Sequence, residues 1–225
     1  MKRILGILFF CAWVSGNAQS NYQFGILPSL NLNKKLEKDW KLNLKIESRQ
    51  LLKEGNFGEG TDFDFEYLLT DIAFIAAKKV GLHHNLAAGY QIRFREGTLF
   101  HRTIQQYTTV HSYSGLRLAH RIAADQTFSE ITSPEYRFRY RLTAILPLSG
   151  KELDTKEWYV KINNEYLHAF QSSVYDLELR LVPFLGYVFT DSNKVEFGLD
   201  YRINSFLNGP SSHRFWWTVN WFVTL

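Results

Sequence analysis

The stretch Phe215-Trp216-Trp217-Thr218-Val219-Asn220-Trp221-Phe222-Val223-Thr224-Leu225 decides the fold that this chain is expected to adopt. Successive side chains of a β-strand point to opposite faces, so apolar residues at every second position share one face. Here that face consists of Phe215, Trp217, Val219, Trp221, Val223 and Leu225. Thr218 and Asn220 fall on the opposite face. The stretch therefore predicts an amphipathic strand at the end of the chain.

Such a terminal strand resembles the insertion signal of bacterial outer-membrane barrels. That signal usually ends in an aromatic residue, and this chain has Leu225 in its place. The alternative is the edge strand of a soluble β-barrel or sandwich. The rest of the chain is needed to choose between them.

The first eighteen residues favour an exported protein. Lys2-Arg3, the apolar run 4–14 and the small or polar residues 15–18 form the three regions of a secretory signal peptide. We expect cleavage after Ala18, which divides the chain into a signal peptide, 1–18, and one barrel domain, 19–225. Cys11 would be removed, which excludes disulfides, a thiol nucleophile and cysteine metal sites from the mature chain. Together with the terminal strand, these features predict that the protein is located in the outer membrane of a Gram-negative bacterium.

Charge and aromatic content narrow the class of protein further. Without Lys2 and Arg3 the chain has 24 basic and 22 acidic residues, a formal charge of +2. This balance argues against nucleic acid as a partner, because a phosphate-binding surface needs clustered positive charge. The 18 Phe, 12 Tyr and 6 Trp residues are typical of aromatic girdles at a membrane interface.

Nearly every segment after residue 18 repeats one design. Roughly ten to fifteen alternating apolar and polar residues are followed by a turn rich in Gly, Asn, Asp, Ser or Lys. This repetition predicts an all-β, antiparallel up-and-down transmembrane barrel. The pattern gives about eleven segments, but bacterial single-chain barrels have even strand numbers, so we predict ten or twelve strands.

Three places depart from simple alternation. A phase slip near Asp71 predicts a β-bulge. Pro28 fits only an edge-like or irregular strand position, since proline has no N–H to donate. The segment 102–113 is β-prone, but its facing is ambiguous.

The polar face of several strands carries both signs of charge, and Arg137, Arg139 and Arg141 point the same way. If this face is the barrel interior, these arginines need carboxylate partners, because an unpaired buried charge is costly. The predicted lumen network comprises Glu47, Arg49, Arg137, Arg139, Arg141, Glu165, Asp176, Glu178, Arg180, Asp200 and Arg202. We favour a lumen filled by ion pairs over an anion-attracting channel or pocket. A soluble calycin with its charges outside would show the same periodicity.

Short motifs along the chain resemble a known family. They are the run Glu135-Tyr136-Arg137-Phe138-Arg139-Tyr140-Arg141-Leu142, then Pro147-Leu148, Asn164-Glu165-Tyr166 and Leu185-Gly186-Tyr187. They are similar to the outer-membrane barrels catalogued as domain of unknown function number 2490. The resemblance implies a barrel fold and an outer-membrane location. It implies no activity and no catalytic residues.

The histidines give weak support for catalysis. They are His83, His84, His101, His111, His120, His168 and His213. No His-Glu-x-x-His or Gly-x-Ser-x-Gly motif occurs in the sequence, and we expect no metal or other cofactor. The candidate pairs are His111 with Ser112, and His213 with Ser211 or Ser212. Neighbouring residues of one strand face opposite ways, which argues against the first pair.

The sequence therefore favours a non-enzymatic barrel with a structural or accessory role in an envelope complex. The alternatives are a narrow pore with a charged lumen and a lipid-modifying enzyme. The expected partners are outer-membrane lipids and lipopolysaccharide, the barrel-insertion machinery and another envelope protein.

Overall fold

The computed structural model describes residues 20–59 and 62–225. The predicted signal peptide, with Cys11, lies outside these residues. Within them the chain forms eleven strands and no helix. The strands are β1 (Asn21–Lys35), β2 (Trp40–Asn56), β3 (Glu66–Lys79), β4 (His84–Arg95), β5 (Thr98–Tyr113), β6 (Leu116–Phe128), β7 (Glu135–Pro147), β8 (Trp158–Gln171), β9 (Val174–Thr190), β10 (Asn193–Asn204) and β11 (Ser212–Thr224).

The strands close into a single barrel in which each strand pairs with its neighbours in sequence. These pairings are antiparallel, which confirms the up-and-down prediction. The first and last strands close the barrel in parallel, with Asn21 opposite Ser212 and Asn33 opposite Thr224. The prediction of ten or twelve strands was wrong. An even number is required only when the closing pair is antiparallel, and here β1 and β11 run in the same direction.

Because the strand number is odd, the first strand begins at one rim of the barrel and the last strand ends at the other. We call the rim where β1 begins the N-terminal rim, and it carries the connections 57–65, 96–97, 129–134, 172–173 and 205–211. The opposite, C-terminal rim is where β11 ends, and it carries the connections 36–39, 80–83, 114–115, 148–157 and 191–192.

The irregular positions of the sequence lie at irregular pairings. The register of β2 with β3 shifts between Arg49 and Gln50, opposite Tyr67 and Leu69, which confirms a bulge close to Asp71. At this bulge the alternation changes phase, so Tyr67 is exposed while Leu69 is buried inside the barrel. Pro28 faces outward, opposite Val219 in the parallel pair.

The outward face is apolar, and exposed aromatic residues lie near both ends of the strands. Exposed aromatic side chains near the N-terminal rim include Phe94, Phe128, Tyr136 and Phe170, and those near the C-terminal rim include Trp40, Tyr113, Trp158 and Trp221. Between these two groups the outward face carries exposed aliphatic side chains, among them Ile72, Ile122, Leu181 and Val219, together with aromatic ones such as Phe74 and Phe197. The terminal strand follows this pattern, because Trp217 is 55% exposed whereas Thr218 is 3% exposed.

On the inner wall, three aromatic rings lie across glycines of the neighbouring strand. Tyr159 covers Gly186, Phe184 covers Gly198 and Trp216 covers Gly25, and a Cβ at any of these glycines would overlap the ring. Trp216 also packs with Leu27 and Leu51 in the small apolar cluster of the interior. Aromatic side chains of this kind protect a glycine in a strand and hold the register of the two strands.

We expect Gly186→Ala to destabilise the barrel by about 1–3 kcal/mol, because the added methyl must displace the Tyr159 ring from the wall. Denaturant unfolding of detergent-solubilised protein, followed by tryptophan fluorescence, would measure the change. Gly81→Ala is the matched control, since its Cβ would lie 3.3 Å from His84 Cδ2. Equal stability of the two variants would contradict this packing.

Candidate functional site

The barrel interior contains a cavity of about 880 Å³. Its lining extends to the N-terminal rim, where Glu96, Ile131 and Thr132 contribute to it. Towards the other end its lining includes Lys161, Phe184 and Phe222, and no described residue of the C-terminal connections contributes. The cavity therefore reaches the N-terminal rim of the barrel and ends before the C-terminal rim.

Asp125 of β6 is the centre of one cluster of charges beneath this cavity. Its carboxylate is inaccessible to solvent and accepts a hydrogen bond from Arg137 Nε at 2.6 Å. It also forms ion pairs with Arg139 Nη2 at 2.8 Å and with Arg102 Nε at 3.5 Å. The three arginines come from β5 and β7, the two neighbours of β6. One carboxylate therefore ties three strands together.

Glu165 of β8 is the centre of a second cluster. Arg141 Nε donates to Oε2 at 2.7 Å and Arg180 Nη1 donates to Oε1 at 3.1 Å. Arg121 Nη2 lies 3.6 Å from Oε2, although it comes from β6, two strands away. Glu165 is only 1% exposed, so water cannot solvate its carboxylate. Its charge is therefore stabilised almost entirely by these arginines.

Elsewhere on the inner wall the ion-paired groups contain only two or three residues. Arg93 donates two hydrogen bonds to Asp71, at 2.7 and 2.8 Å, and Arg202 donates two to Asp200, at 2.9 and 2.7 Å. These two-point contacts are the strongest geometry available to arginine and carboxylate. Glu47 is shared between Lys45 Nζ at 2.5 Å and Arg49 Nη2 at 3.1 Å.

A third buried carboxylate lies towards the C-terminal rim. Glu196 of β10 is 1% exposed and accepts a hydrogen bond from Tyr159 Oη at 2.8 Å. It also pairs with Lys161, whose Nζ lies 4.2 Å from the centre of the Phe184 ring. Two of the aromatic rings that cover glycines thus hold this ion pair in place.

The structure places the eleven residues of the predicted lumen network inside the barrel. Ten of them form ion pairs, and the exception is Asp176, which accepts a hydrogen bond from the backbone N–H of Ser205 at 3.3 Å. Sequence reasoning left several interior charges out of the network. These are Lys45, Asp71, Arg93, Arg102, Arg121, Asp125, Lys161, Glu196 and Arg214.

Some of these residues could have been assigned to the interior from the alternation of their strand, and others could not. Arg121 and Asp125 share the polar face of their strand in the sequence itself, so alternation was enough. Asp71 follows the bulge and Arg102 lies in the segment of ambiguous facing, so their orientation depended on register.

Positive charge exceeds negative charge around the cavity. Thirteen Lys or Arg side chains line it, against six Asp or Glu side chains. Asp125, Glu165 and Glu196 pair with lining residues from behind the wall, and adding them still leaves four more basic than acidic groups. The lining of the interior therefore carries a net positive charge.

The histidines lie mainly on the other side of the wall. Five of them hydrogen-bond through Nδ1 to a tyrosine hydroxyl of the adjacent strand, at 2.6 to 2.8 Å. The pairs are His84 with Tyr107, His101 with Tyr90, His120 with Tyr140, His168 with Tyr175, and His213 with Tyr201. Their recurrence on neighbouring strands fits a structural role, in which the pairs satisfy polar groups on an otherwise apolar surface.

Of the candidate catalytic pairs, one is brought together. Ser211 Oγ lies 3.2 Å from His213 Nε2, while His213 Nδ1 is held by the Tyr201 hydroxyl. The ring of His111 lies beside that of His83 in a tilted arrangement, with ring centres 5.3 Å apart. Among residues 20–59 and 62–225 no three His, Cys, Asp or Glu side chains are grouped as a metal site would require. No helix in this part of the chain is long and apolar enough to cross a bilayer.

The fold and its interior define a class: a closed up-and-down β-barrel with an apolar outer face and a charged lumen. Residues 24–214 match the family described as Protein of unknown function (DUF2490), and the chain belongs to this family. No curated protein sequence matches the chain. Among solved structures, the siderophore receptor PirA from Pseudomonas aeruginosa is similar at 14% identity, with a TM-score of 0.33. That match covers 83% of this chain and 34% of the receptor.

Removing the carboxylate of Glu165 would leave three arginines without their shared partner. We expect Glu165→Gln to lower the free energy of unfolding by about 3–5 kcal/mol, as when one member of a buried ion pair is lost. Glu96→Gln removes a carboxylate from an exposed pair and should have little effect. Urea unfolding of both variants in the same detergent would measure this difference, and similar curves would show that the cluster does not stabilise the barrel.

Proposed function

We propose that this protein is a non-enzymatic integral barrel of the bacterial outer membrane, with a structural or accessory role in an envelope complex. The membrane location is supported by the outer face, which is apolar along the strands and carries exposed aromatic residues near both rims. Strands of 12 to 17 residues exceed the roughly 9–11 residues that a tilted transmembrane strand needs. Two such aromatic girdles are typical of outer-membrane barrels.

The accessory role is supported by one observation above all: the ion-paired interior, whose cavity stops short of the C-terminal rim. The side chains of Asp125 and Glu165 hold six arginines in fixed positions across β5 to β9. A rigid interior of this kind suits a barrel that presents surfaces to a partner better than it suits a free channel.

A second candidate function is lipid modification, and the contact between Ser211 and His213 favours it. Both residues lie at the N-terminal rim, where lipid headgroups would meet the barrel. A hydroxyl, an imidazole and a group that orients the imidazole are the parts of a hydrolytic triad. Here the orienting group is the Tyr201 hydroxyl instead of a carboxylate, and four other histidines bind tyrosine in the same way without a serine.

Substitutions in the middle of β11 test the membrane location. Val219 faces outward and is 42% exposed, and Val219→Arg would place a charge in the lipid. We expect it to cost about 2–4 kcal/mol and to reduce insertion. Asn220→Ser, next to it on the inner face, should insert like the parent protein. Carbonate extraction and heat-modifiable migration in detergent gels measure insertion, and equal insertion of both variants would contradict the assignment.

A pull-down after mild detergent extraction tests the accessory role. We expect another envelope protein to co-purify in a fixed ratio, and purified barrel to give no discrete current steps in planar bilayers. Phospholipid or lipopolysaccharide turnover should be absent with the parent protein and with Ser211→Ala.

The competing functions give different results in the same three assays. A partner-free barrel with single-channel steps that lose anion preference in Arg139→Glu would establish a pore. Lipid turnover that Ser211→Ala abolishes would establish an enzyme. Either result would overturn the accessory proposal.

A further inference from the structure

Three arginines lie side by side on the inner wall near the N-terminal rim. Arg180, Arg202 and Arg214 are direct register partners on β9, β10 and β11. Like charges placed directly opposite on adjacent strands repel and destabilise the pair. We call these residues the arginine row, and their charges need compensation.

Compensation is complete for two members of the row. Arg180 pairs with Glu178 and Glu165, and Arg202 forms the two-point contact with Asp200. Arg214 forms no ion pair with any described carboxylate, and its buried Nε has no hydrogen-bond partner. Glu178 attracts Arg214, but its oxygens already accept hydrogen bonds from Arg180 and Asn204.

No other part of the chain can supply the missing carboxylate. Residues 1–19, 60 and 61 contain neither Asp nor Glu. Arg214 is therefore the member of the arginine row that has no carboxylate partner from the chain, and it is free to contact an anion in the cavity.

Further positive groups converge on the same region. Arg49 of β2 lines the cavity, its Nε is buried without a partner, and it lies close enough to Arg202 for their charges to repel. Arg95, at the end of β4 beside the N-terminal rim, likewise repels Arg214. The cavity that these residues share is within the usual size of ligand pockets, about 300–1,000 Å³.

We propose that this end of the lumen binds a small, multiply charged oxyanion, held by Arg214, Arg202 and Arg49 and entering past Arg95. Guanidinium groups bind phosphate and carboxylate oxygens through paired, charge-assisted hydrogen bonds. A multiply charged anion is favoured over chloride because it can meet several guanidinium groups at once. The ligand is a free solute, since the row faces the lumen and not the outer surface. This site goes beyond the accessory role and rests only on the geometry of the lumen.

Titration calorimetry of the intact purified barrel in neutral detergent tests the site with pyrophosphate, citrate and chloride as probes. We expect pyrophosphate or citrate to bind, to raise the thermal midpoint, and to bind more weakly as salt is added. Arg214→Gln should weaken this binding about tenfold or more, through loss of its charge-assisted contacts. Arg117→Gln is the control, because Arg117 is exposed and does not line the cavity.

Folding of each variant is verified by heat-modifiable migration. Without added anion, Arg214→Gln should be at least as stable as the parent, since it removes an uncompensated positive charge. Equal binding by the parent and Arg214→Gln, or no binding of either multivalent anion by the parent, would overturn the proposal. Binding of lipopolysaccharide phosphate without binding of free pyrophosphate or citrate would also overturn it. The pull-down that tests the accessory role is independent of all these measurements.

Discussion

The parallel pairing of β1 with β11 is the constraint on which the rest of this structure depends. A sheet edge in a bilayer would leave a row of backbone N–H and C=O groups without partners, and each such group is costly in an apolar medium. The register from Asn21 opposite Ser212 to Asn33 opposite Thr224 removes both edges at once. Pro28 lies within this pair, and on its other side the register of β1 with β2 gives no partner to Leu27 or Pro28, an irregular position of the kind that proline tolerates. Closure by parallel strands also permits an odd strand number and puts the two ends of the described chain at opposite rims.

Once the barrel is closed, the alternation of every strand sends half of its side chains into a confined interior. Two kinds of side chain occupy that space, namely ion-paired charged groups and aromatic rings. Charges are gathered around buried carboxylates: Asp125 and Glu165 each form ion pairs with three arginines, and Glu196 pairs with Lys161. Aromatic rings lie flat against the wall where glycine leaves room for them, as Tyr159 does on Gly186. A cavity of about 880 Å³ remains between these side chains, although a barrel of this size can be filled completely.

Stability alone does not explain where the positive charges of this interior lie, because stability would favour a carboxylate partner for each of them. The carboxylate clusters serve β5 to β9, whereas the arginine row ends in Arg214 without a partner. A charged side chain without an ion-pair partner in a cavity is commonly kept where it has a function. The outer wall is organised differently, since its histidines and tyrosines pair with one another and leave no comparable unsatisfied group among those five pairs.

The sequence by itself determined the strands, the division of each strand into an apolar and a polar face, and the family, because a period of two and the turn residues between segments are local properties. It also indicated which charges share a face, as for Arg137, Arg139 and Arg141. Only the tertiary structure decided that eleven strands close in parallel, that the bulge by Tyr67 turns Leu69 inward, and that Arg121 reaches Glu165 across two strands. It alone shows that Arg214 stands beside Arg202 without a carboxylate. These outcomes depend on the register between strands distant in sequence, and register is fixed by closure of the whole barrel, which no single segment encodes.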